Sequence, residues 1–222
     1  FVTKKISKVF LFLDTFKAYK EVLYGSFLKY LPRNFSVDLH FHHYNIGVFE
    51  KIIGESLGKY SKYIIMNFDH EKIPGIVQRI PTEQLLIIDW KIYTSENQSC
   101  VYQDFGEPIY NCLKENLEKI RKYEKVTLYY PPFTYHPKDT IVFFEKFCTD
   151  FGVNHSVIYD PEKFRVKKGG LYFLVSYRTL ASFLDQCAEN GFEPGHEAGV
   201  ISYNETPMKK YVKNGITVIS TD

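Results

Sequence analysis

The feature that most constrains the fold is a set of short segments in which nearly every residue is apolar. Such runs are typical of strands covered on both faces, because neither alternate set of side chains then meets water. Seven segments fit this description: 8–13, 63–68, 85–88, 126–130, 171–175, 199–203 and 216–219. The chain is therefore expected to contain buried, parallel sheet structure.

Helical periodicity lies between these runs. Apolar residues recur at three- and four-residue spacing in four stripes, and a fifth helix is predicted to stop at Pro32. The stripes lie in 48–57, 109–120, 141–151 and 180–187, and the fifth helix in 18–31. Asn190 and Gly191 indicate the C-terminus of the last helix. Strands that alternate with helices of this length predict βαβ units, and hence an α/β fold with parallel sheets.

Composition narrows the class of protein. The 222 residues carry a formal net charge of only +2 and contain no dense Lys/Arg block, so this segment lacks a clustered basic face for nucleic acid. The four cysteines form no CxxC pair, which favours a reducing compartment over a zinc site or a disulfide framework. No signal-peptide layout and no apolar run of roughly 20 residues is present. A cytoplasmic protein without membrane attachment is expected.

Polar and aromatic residues follow the predicted strands. In an open α/β sheet, ligands bind outside the carboxyl ends of the strands. These ends are 14–16, 40–43, 67–70, 89–90, 103–105, 131–136, 176–178 and 204–206. A small molecule with hydrogen-bonding edges and apolar faces, such as a sugar, would suit this set of side chains.

The order of these motifs resembles the sugar-sensing effector domain of lactose-repressor-type regulators, which is built like a periplasmic sugar-binding protein. The segment "FLVSYRTLASFLDQCAENGFEPGHEAGVISYNETP" is similar to that family's strand, helix, turn and strand that ends in an acidic tip. "KVFLFLDTFKAYKEVLYGSFLKYL", "CVYQDFGEPIYNCLKENL" and "GITVISTD" resemble its first strand and helix, its crossover and its last hinge strand. The resemblance implies a two-lobe fold, each lobe a parallel sheet flanked by helices, with a sugar between the lobes.

The first residues add to this resemblance. "FVT" looks like the end of the wing strand of a GntR-type winged-helix domain. The resemblance therefore implies 1–4 as the end of a DNA-binding domain that this chain lacks, 5–97 as lobe one, 98–218 as lobe two and 219–222 as a third hinge crossing, with a C-terminus that is cut short. It further implies a repressor that binds DNA through the winged helix, acts as a homodimer and responds to a monosaccharide such as L-arabinose or L-fucose, without a cofactor.

The resemblance also implies which residues bind the ligand. They are Asp14, Tyr19, Asp89, Trp90, Gln103, Asp104, His136, Lys138, Arg178 and Asn204. Simpler roles stay open for several of them. Asp14 could cap the next helix, Trp90 could serve packing, and Gln103 or Asp104 could lock the hinge. Asn204 is expected to contact the ligand, with 205–207 shaping a turn.

Two departures from the family pattern bear on the ligand. The family's Asn-Asp tip is Tyr177-Arg178 here, and the position of an expected arginine donor holds Thr140. Because Arg178 offers a planar pair of donors to a carboxylate or a hydroxyl pair, phosphorylated and acidic sugars stay open. His40, His42 and His43 are not expected to bind a metal, since neighbouring positions of a strand face opposite sides.

Two other classes of function compete with the sensor. An extracytoplasmic sugar-binding protein of a transporter would share the fold, and an intact precursor with a leader would favour it. A sugar hydrolase or isomerase could use Asp14, Asp89 and Asp104. However, the sequence contains no nucleophile elbow, phosphate loop or metal set. A non-enzymatic sensor whose sugar shifts the balance between open and closed forms is therefore the expectation.

Overall fold

A computed structural model describes residues 6–92 and 97–221 of the chain. The chain divides into two compact units, Phe1–Gln103 and Asp104–Asp222. Each unit contains one five-stranded sheet in which all strands are parallel. No helix in the described ranges is long and apolar enough to cross a membrane. The predicted winged-helix remnant at 1–4 lies outside the described residues.

The first unit is a sheet with strand order β2-β1-β3-β4-β5. Its elements are β1 (Ser7–Leu13), α1 (Ala18–Tyr30), β2 (Phe35–Phe41), α2 (Ile46–Ser56), β3 (Lys62–Met66), α3 (Ile73–Val77), a 3₁₀ turn (Thr82–Gln84), β4 (Leu85–Asp89) and β5 (Ser99–Tyr102). The predicted lobe boundary at 97/98 falls before β5, whereas the unit extends to Gln103, because β5 hydrogen-bonds to β4.

The two faces of the first sheet carry different apolar clusters. Successive residues of β1 alternate between them, since side chains of a strand point to opposite faces. Phe10 and Phe12 pack with residues of α2 and α3, whereas Leu11 and Leu13 pack with Leu23 and other residues of α1. Both faces of β1 are thus apolar from Val9 to Leu13, and Asp14 follows at the carboxyl end of the strand.

The second unit has strand order β10-β9-β8-β6-β7. Its elements are α4 (Glu107–Glu115), α5 (Leu117–Ile120), β6 (Lys125–Tyr129), α6 (Asp139–Asp150), β7 (His155–Ile158), a 3₁₀ turn (Pro161–Lys163), β8 (Gly170–Leu174), α7 (Tyr177–Asn190), β9 (Gly199–Tyr203), a 3₁₀ turn (Lys209–Tyr211) and β10 (Thr217–Ile219). The predicted hinge segment 219–222 begins inside β10, and Asp222 lies outside the described residues.

All seven predicted apolar runs are strands, and the five predicted helices are present. The stripe 109–120 is divided into α4 and α5 at Asn116. Gly191 ends α7 in the left-handed conformation (φ 67°), as its position after the stripe predicts. The predicted parallel α/β fold is confirmed.

Candidate functional site

A buried ion triad occupies the carboxyl edge of the first sheet. Asp14 directly follows β1, Asp89 is the last residue of β4, and Lys20 lies in the first turn of α1. The Lys20 Nζ lies 3.6 Å from Asp14 Oδ1 and 3.2 Å from Asp89 Oδ2. The three side chains are 7–13% exposed. One ammonium group therefore serves two carboxylates that come from different strands.

Asp14 is held by two further hydrogen bonds. The backbone N–H of Thr15 donates to its Oδ1 at 2.7 Å, and the Tyr44 hydroxyl donates to its Oδ2. The alternative role of Asp14 as the cap of α1 does not hold, because α1 begins at Ala18 with Lys17 at the N-cap position. Its carboxylate instead pairs with the Lys20 ammonium group and accepts from the Tyr44 hydroxyl.

Asp89 is paired with the residue that follows β5. Gln103 Nε2 donates to Asp89 Oδ1 at 2.5 Å and to the Tyr19 hydroxyl at 3.2 Å. The backbone of Asp89 adopts a positive φ of 77°, which few residues other than Gly, Asn and Asp adopt. Trp90 is half-buried, and its backbone N–H donates to Ile88 O at 3.1 Å. Four of the predicted ligand residues (Asp14, Tyr19, Asp89 and Gln103) are thus linked in one network.

His42 holds the turn that carries Tyr44, a member of this network. Its ring is fully buried among Phe12, Phe49 and Phe68. The Tyr44 N–H donates to His42 Nδ1 at 3.2 Å, so the proton is on Nε2, which donates to Met66 O at 3.0 Å. Burial lowers the pKa of His42 to about 4. A neutral His42 thereby fixes the turn from which the Tyr44 hydroxyl reaches Asp14.

Several buried polar atoms at this edge have no partner within the described part of the chain. They are Thr15 Oγ1, Asn67 Oδ1 and Gln103 Oε1. Asn67 follows β3 directly and is only 4% exposed. An unpaired buried polar atom is costly, and such atoms in a native structure commonly mark a site for a water or a ligand.

The second unit carries an aromatic and polar edge of its own. Thr140 Oγ1 donates to Phe105 O at 3.1 Å, so His136 Nε2 donates to Thr140 Oγ1 at 2.7 Å. The His136 ring packs edge-on against Tyr203, with centroids 4.5 Å apart. Burial lowers the pKa of His136 to about 3, which keeps the ring neutral at physiological pH. Thr140 is fully buried, and its hydroxyl is committed to these two bonds.

The stretch after β9 combines a turn with unpaired polar atoms. Asn204 has a φ of 60°, and its N–H donates to Ile219 O at 2.8 Å. The buried Lys209 donates to the carbonyls of Tyr203 (2.8 Å) and Asn204, and burial lowers its pKa to about 8. Asn204 Oδ1 and the buried Ser202 Oγ lack a partner in the described ranges. The backbone N–H and C=O of Asn204 are thus both hydrogen-bonded, while its side-chain Oδ1 stays available as an acceptor.

Three predicted ligand residues of the second unit are exposed to solvent: Asp104, Lys138 and Arg178. Asp104 accepts from Gly106 N at 2.8 Å, and Lys138 occupies the N-cap position of α6. Arg178 lies 5.6 Å from the ring centroid of Phe133 and borders a 720 Å³ surface concavity along α7. None of the three makes a buried ion pair among the described residues.

The three clustered histidines take separate environments. His40 stacks on Phe10 with centroids 4.9 Å apart, His42 is buried as described, and His43 is exposed with a φ of 50°. No group of three His, Cys, Asp or Glu side chains that could hold a metal ion occurs in the described ranges.

The sequence-based list omitted four residues that the structure places in these networks: Lys20, Tyr44, Asn67 and Lys209. Lys20 opens the helix beside Asp14 and Tyr19, in the loop that the resemblance places first at the ligand, so its position carried a signal although its residue type did not. A signal did exist for Asn67, which stands at the end of an apolar run, where a buried amide needs partners.

Comparisons with known proteins support the fold. No protein-family model matches the chain, and no curated protein matches it. A GntR transcription regulator of Chromobacterium violaceum has a similar structure, with a TM-score of 0.76 and 11% identity over 96% of this chain and 84% of that one. A LacI family regulator of Lactobacillus casei with bound glucose gives 0.71 and 8%, over 96% and 86%.

A third similar structure is a periplasmic sugar-binding protein of an ABC sugar transporter from Legionella pneumophila. It gives a TM-score of 0.71 and 13% identity over 97% of this chain and 89% of that one. At these identities the likeness concerns the fold. The chain therefore has the two-lobe, periplasmic-binding-protein-like α/β fold that these regulators and the transport protein share.

Proposed function

We propose that this chain is the sugar-sensing domain of a transcriptional regulator. The observation that carries the proposal is the buried network at the carboxyl edge of the first sheet, which presents carboxylate, ammonium, amide and phenol groups to one place. The similarity in fold to regulators, one of them with bound glucose, supports the same assignment.

The chemistry of this edge suits a monosaccharide. Each sugar hydroxyl can donate one hydrogen bond and accept others. Asp14 and Asp89 would accept from hydroxyls, and the free Oε1 of Gln103 would accept one more. Hydrogen bonds to charged groups are the stronger kind, so a few of them can hold a small, well-hydrated molecule.

The regulator we propose is a GntR-type repressor. In this proposal a winged helix outside this chain binds DNA, two copies associate, and the protein works in the cytoplasm. The sugar binds one conformation of the domain better than another and shifts the balance between them. L-Arabinose and L-fucose are the first candidates. A gel-shift titration of the full-length protein on its operator, with and without the sugar, tests this coupling.

Isothermal titration with a panel of monosaccharides that includes L-arabinose and L-fucose tests the binding step. Asp14→Asn removes the charge that Lys20 and Tyr44 hold in place. We expect the affinity for the best sugar to fall about tenfold or more, as for loss of a hydrogen bond to a charged group. Asp69→Asn is the matched control, because Asp69 is exposed after β3.

Unchanged affinity in Asp14→Asn would exclude the first edge as the binding site. Absence of binding by every sugar would refute the proposal. The expectation that His136, Arg178 and Asn204 also contact the sugar stays a prediction. Asn204→Gly tests it, since Gly keeps the φ of 60° while it removes the amide.

A second candidate function is a sugar-binding protein of a transporter, and the similar structure from Legionella pneumophila favours it. Both functions bind sugar, so titration does not separate them. The domains and the DNA binding of the full-length protein separate the two functions. A winged helix before Phe1 and sugar-dependent DNA binding support the regulator, and an export leader supports the transport protein.

A further inference from the structure

The ion triad at the first sheet edge has an uneven charge balance. Asp14 and Asp89 share the single ammonium group of Lys20, and all three side chains are nearly buried. Further groups that contact the triad are the Thr15 N–H, the Tyr44 hydroxyl, the Gln103 amide and Met66 Sδ, and none of these four carries a charge at neutral pH. The edge therefore has one negative charge in excess.

A further cation, Lys17, does not correct this balance. Its Nζ lies 5.9 Å from the ring centroid of Tyr44, and the residue is exposed to solvent. Water and salt screen an exposed charge far more than a buried one. A ligand at the triad would thus meet two carboxylates and an ammonium group that already has three partners, Asp14, Asp89 and Met66 Sδ.

The orphaned atoms of the edge point to the same ligand chemistry. Asn67 Oδ1 and Gln103 Oε1 are hydrogen-bond acceptors that lack a donor within the described part of the chain, and the third orphaned atom, Thr15 Oγ1, can either donate or accept. Together with the two carboxylates, the two acceptors require a ligand that donates hydrogen bonds. Sugar hydroxyls donate, whereas a carboxylate or an ionised phosphate group only accepts.

We propose that the first sheet edge binds sugars that carry no negative charge and rejects sugar phosphates and sugar acids. The inference rests on the proposed function and deepens it by the class of sugar. Asp14, Asp89, Asn67 and Gln103 select for donors, and Lys20 is unable to serve an anion because the two carboxylates already hold it. An anion placed here would face like charges across a few ångströms, where repulsion is strong.

The test compares each neutral sugar with its charged derivatives by isothermal titration of the intact chain. The pairs are D-glucose with D-glucose 6-phosphate and D-glucuronate, and D-galactose with D-galacturonate, beside L-arabinose and L-fucose. We expect the anionic member of any pair that binds to be at least tenfold weaker. An anionic sugar that binds as tightly as its neutral parent overturns the inference and leaves the proposed function standing. If no sugar binds, the proposed function fails and the inference fails with it.

Asp89→Asn gives an independent reading. Asn adopts positive φ as readily as Asp, so the variant is expected to keep the backbone at 77°. Removing one carboxylate charge leaves the triad without a net charge. We expect the ratio of the affinity for the neutral sugar to that for its anionic derivative to fall at least fivefold. Asp69→Asn removes an exposed charge of the same unit and should leave the preference unchanged. An unchanged preference in Asp89→Asn would show that the triad does not set the selectivity.

Discussion

At the scale of single residues, strained backbone marks the ends of the strands. His43, Tyr44, Asp89 and Asn204 all have positive φ, although none is glycine. Each such residue costs on the order of 1–3 kcal/mol and persists only where its surroundings hold it. Backbone hydrogen bonds to neighbouring strands hold two of them in place: Gln103 N donates to Asp89 O at 3.0 Å, and Asn204 N donates to Ile219 O. Such strain at strand ends is typical of ligand-binding positions.

Acid is expected to weaken the fold through His42. The folded pKa is about 4, against 6.5 for an unperturbed histidine, so between these values the unfolded chain binds the proton and the folded chain does not. Stability is therefore lost as the pH falls from 6.5 towards 4. The free energy of unfolding of the wild type should drop by roughly 3 kcal/mol relative to His42→Phe between pH 7 and pH 4.

Urea denaturation at several pH values measures this difference. His196→Phe is the control, because His196 is exposed and its replacement should not change the pH dependence in this way. A constant difference between the wild type and His42→Phe across the range would contradict the account of a neutral buried His42.

At the scale of elements, the sequence predicts the central strands better than the outer ones. Every strand with neighbours on both sides coincides with a predicted apolar run. The strands outside the seven runs are β2, β5 and β7, and all three lie at the edge of a sheet. Because an edge strand is less covered, it tolerates polar residues, as Asp38 and His40 in β2 illustrate. An edge strand therefore need not show the continuous apolar run by which a central strand is predicted.

Helix α7 has a capping arrangement whose contribution can be measured. Ser176 Oγ accepts from Thr179 N at 3.2 Å, and Thr179 Oγ1 accepts from Ser176 N at 3.1 Å. Ser176→Ala should lower the free energy of unfolding by about 1 kcal/mol, the usual cost of losing an N-cap. Ser182→Ala within the same helix should have a small effect or stabilise, since Ala is the better helix former. Equal effects of the two substitutions in chemical denaturation would argue against the cap.

At the scale of the whole molecule, each unit repeats one plan: a parallel sheet covered by helices, with polar groups at the carboxyl ends of the strands. The sequence predicts this plan because apolar periodicity reports burial directly. It predicts only part of the first edge. Asp14 and Asp89 follow or end predicted apolar runs, and the resemblance points to Gln103. The pairing of Lys20 with Asp89 and that of Tyr44 with Asp14 join residues 69 and 30 positions apart in the chain, which no local pattern records.

The most direct test of the central claim is a crystal structure of the chain with its best-bound monosaccharide. We expect sugar hydroxyls within hydrogen-bonding distance of the Asp14 and Asp89 carboxylates. We also expect a sugar hydroxyl to donate to Asn67 Oδ1 or Gln103 Oε1. A sugar seated in the concavity along α7, with the triad of Asp14, Lys20 and Asp89 untouched, would contradict this claim.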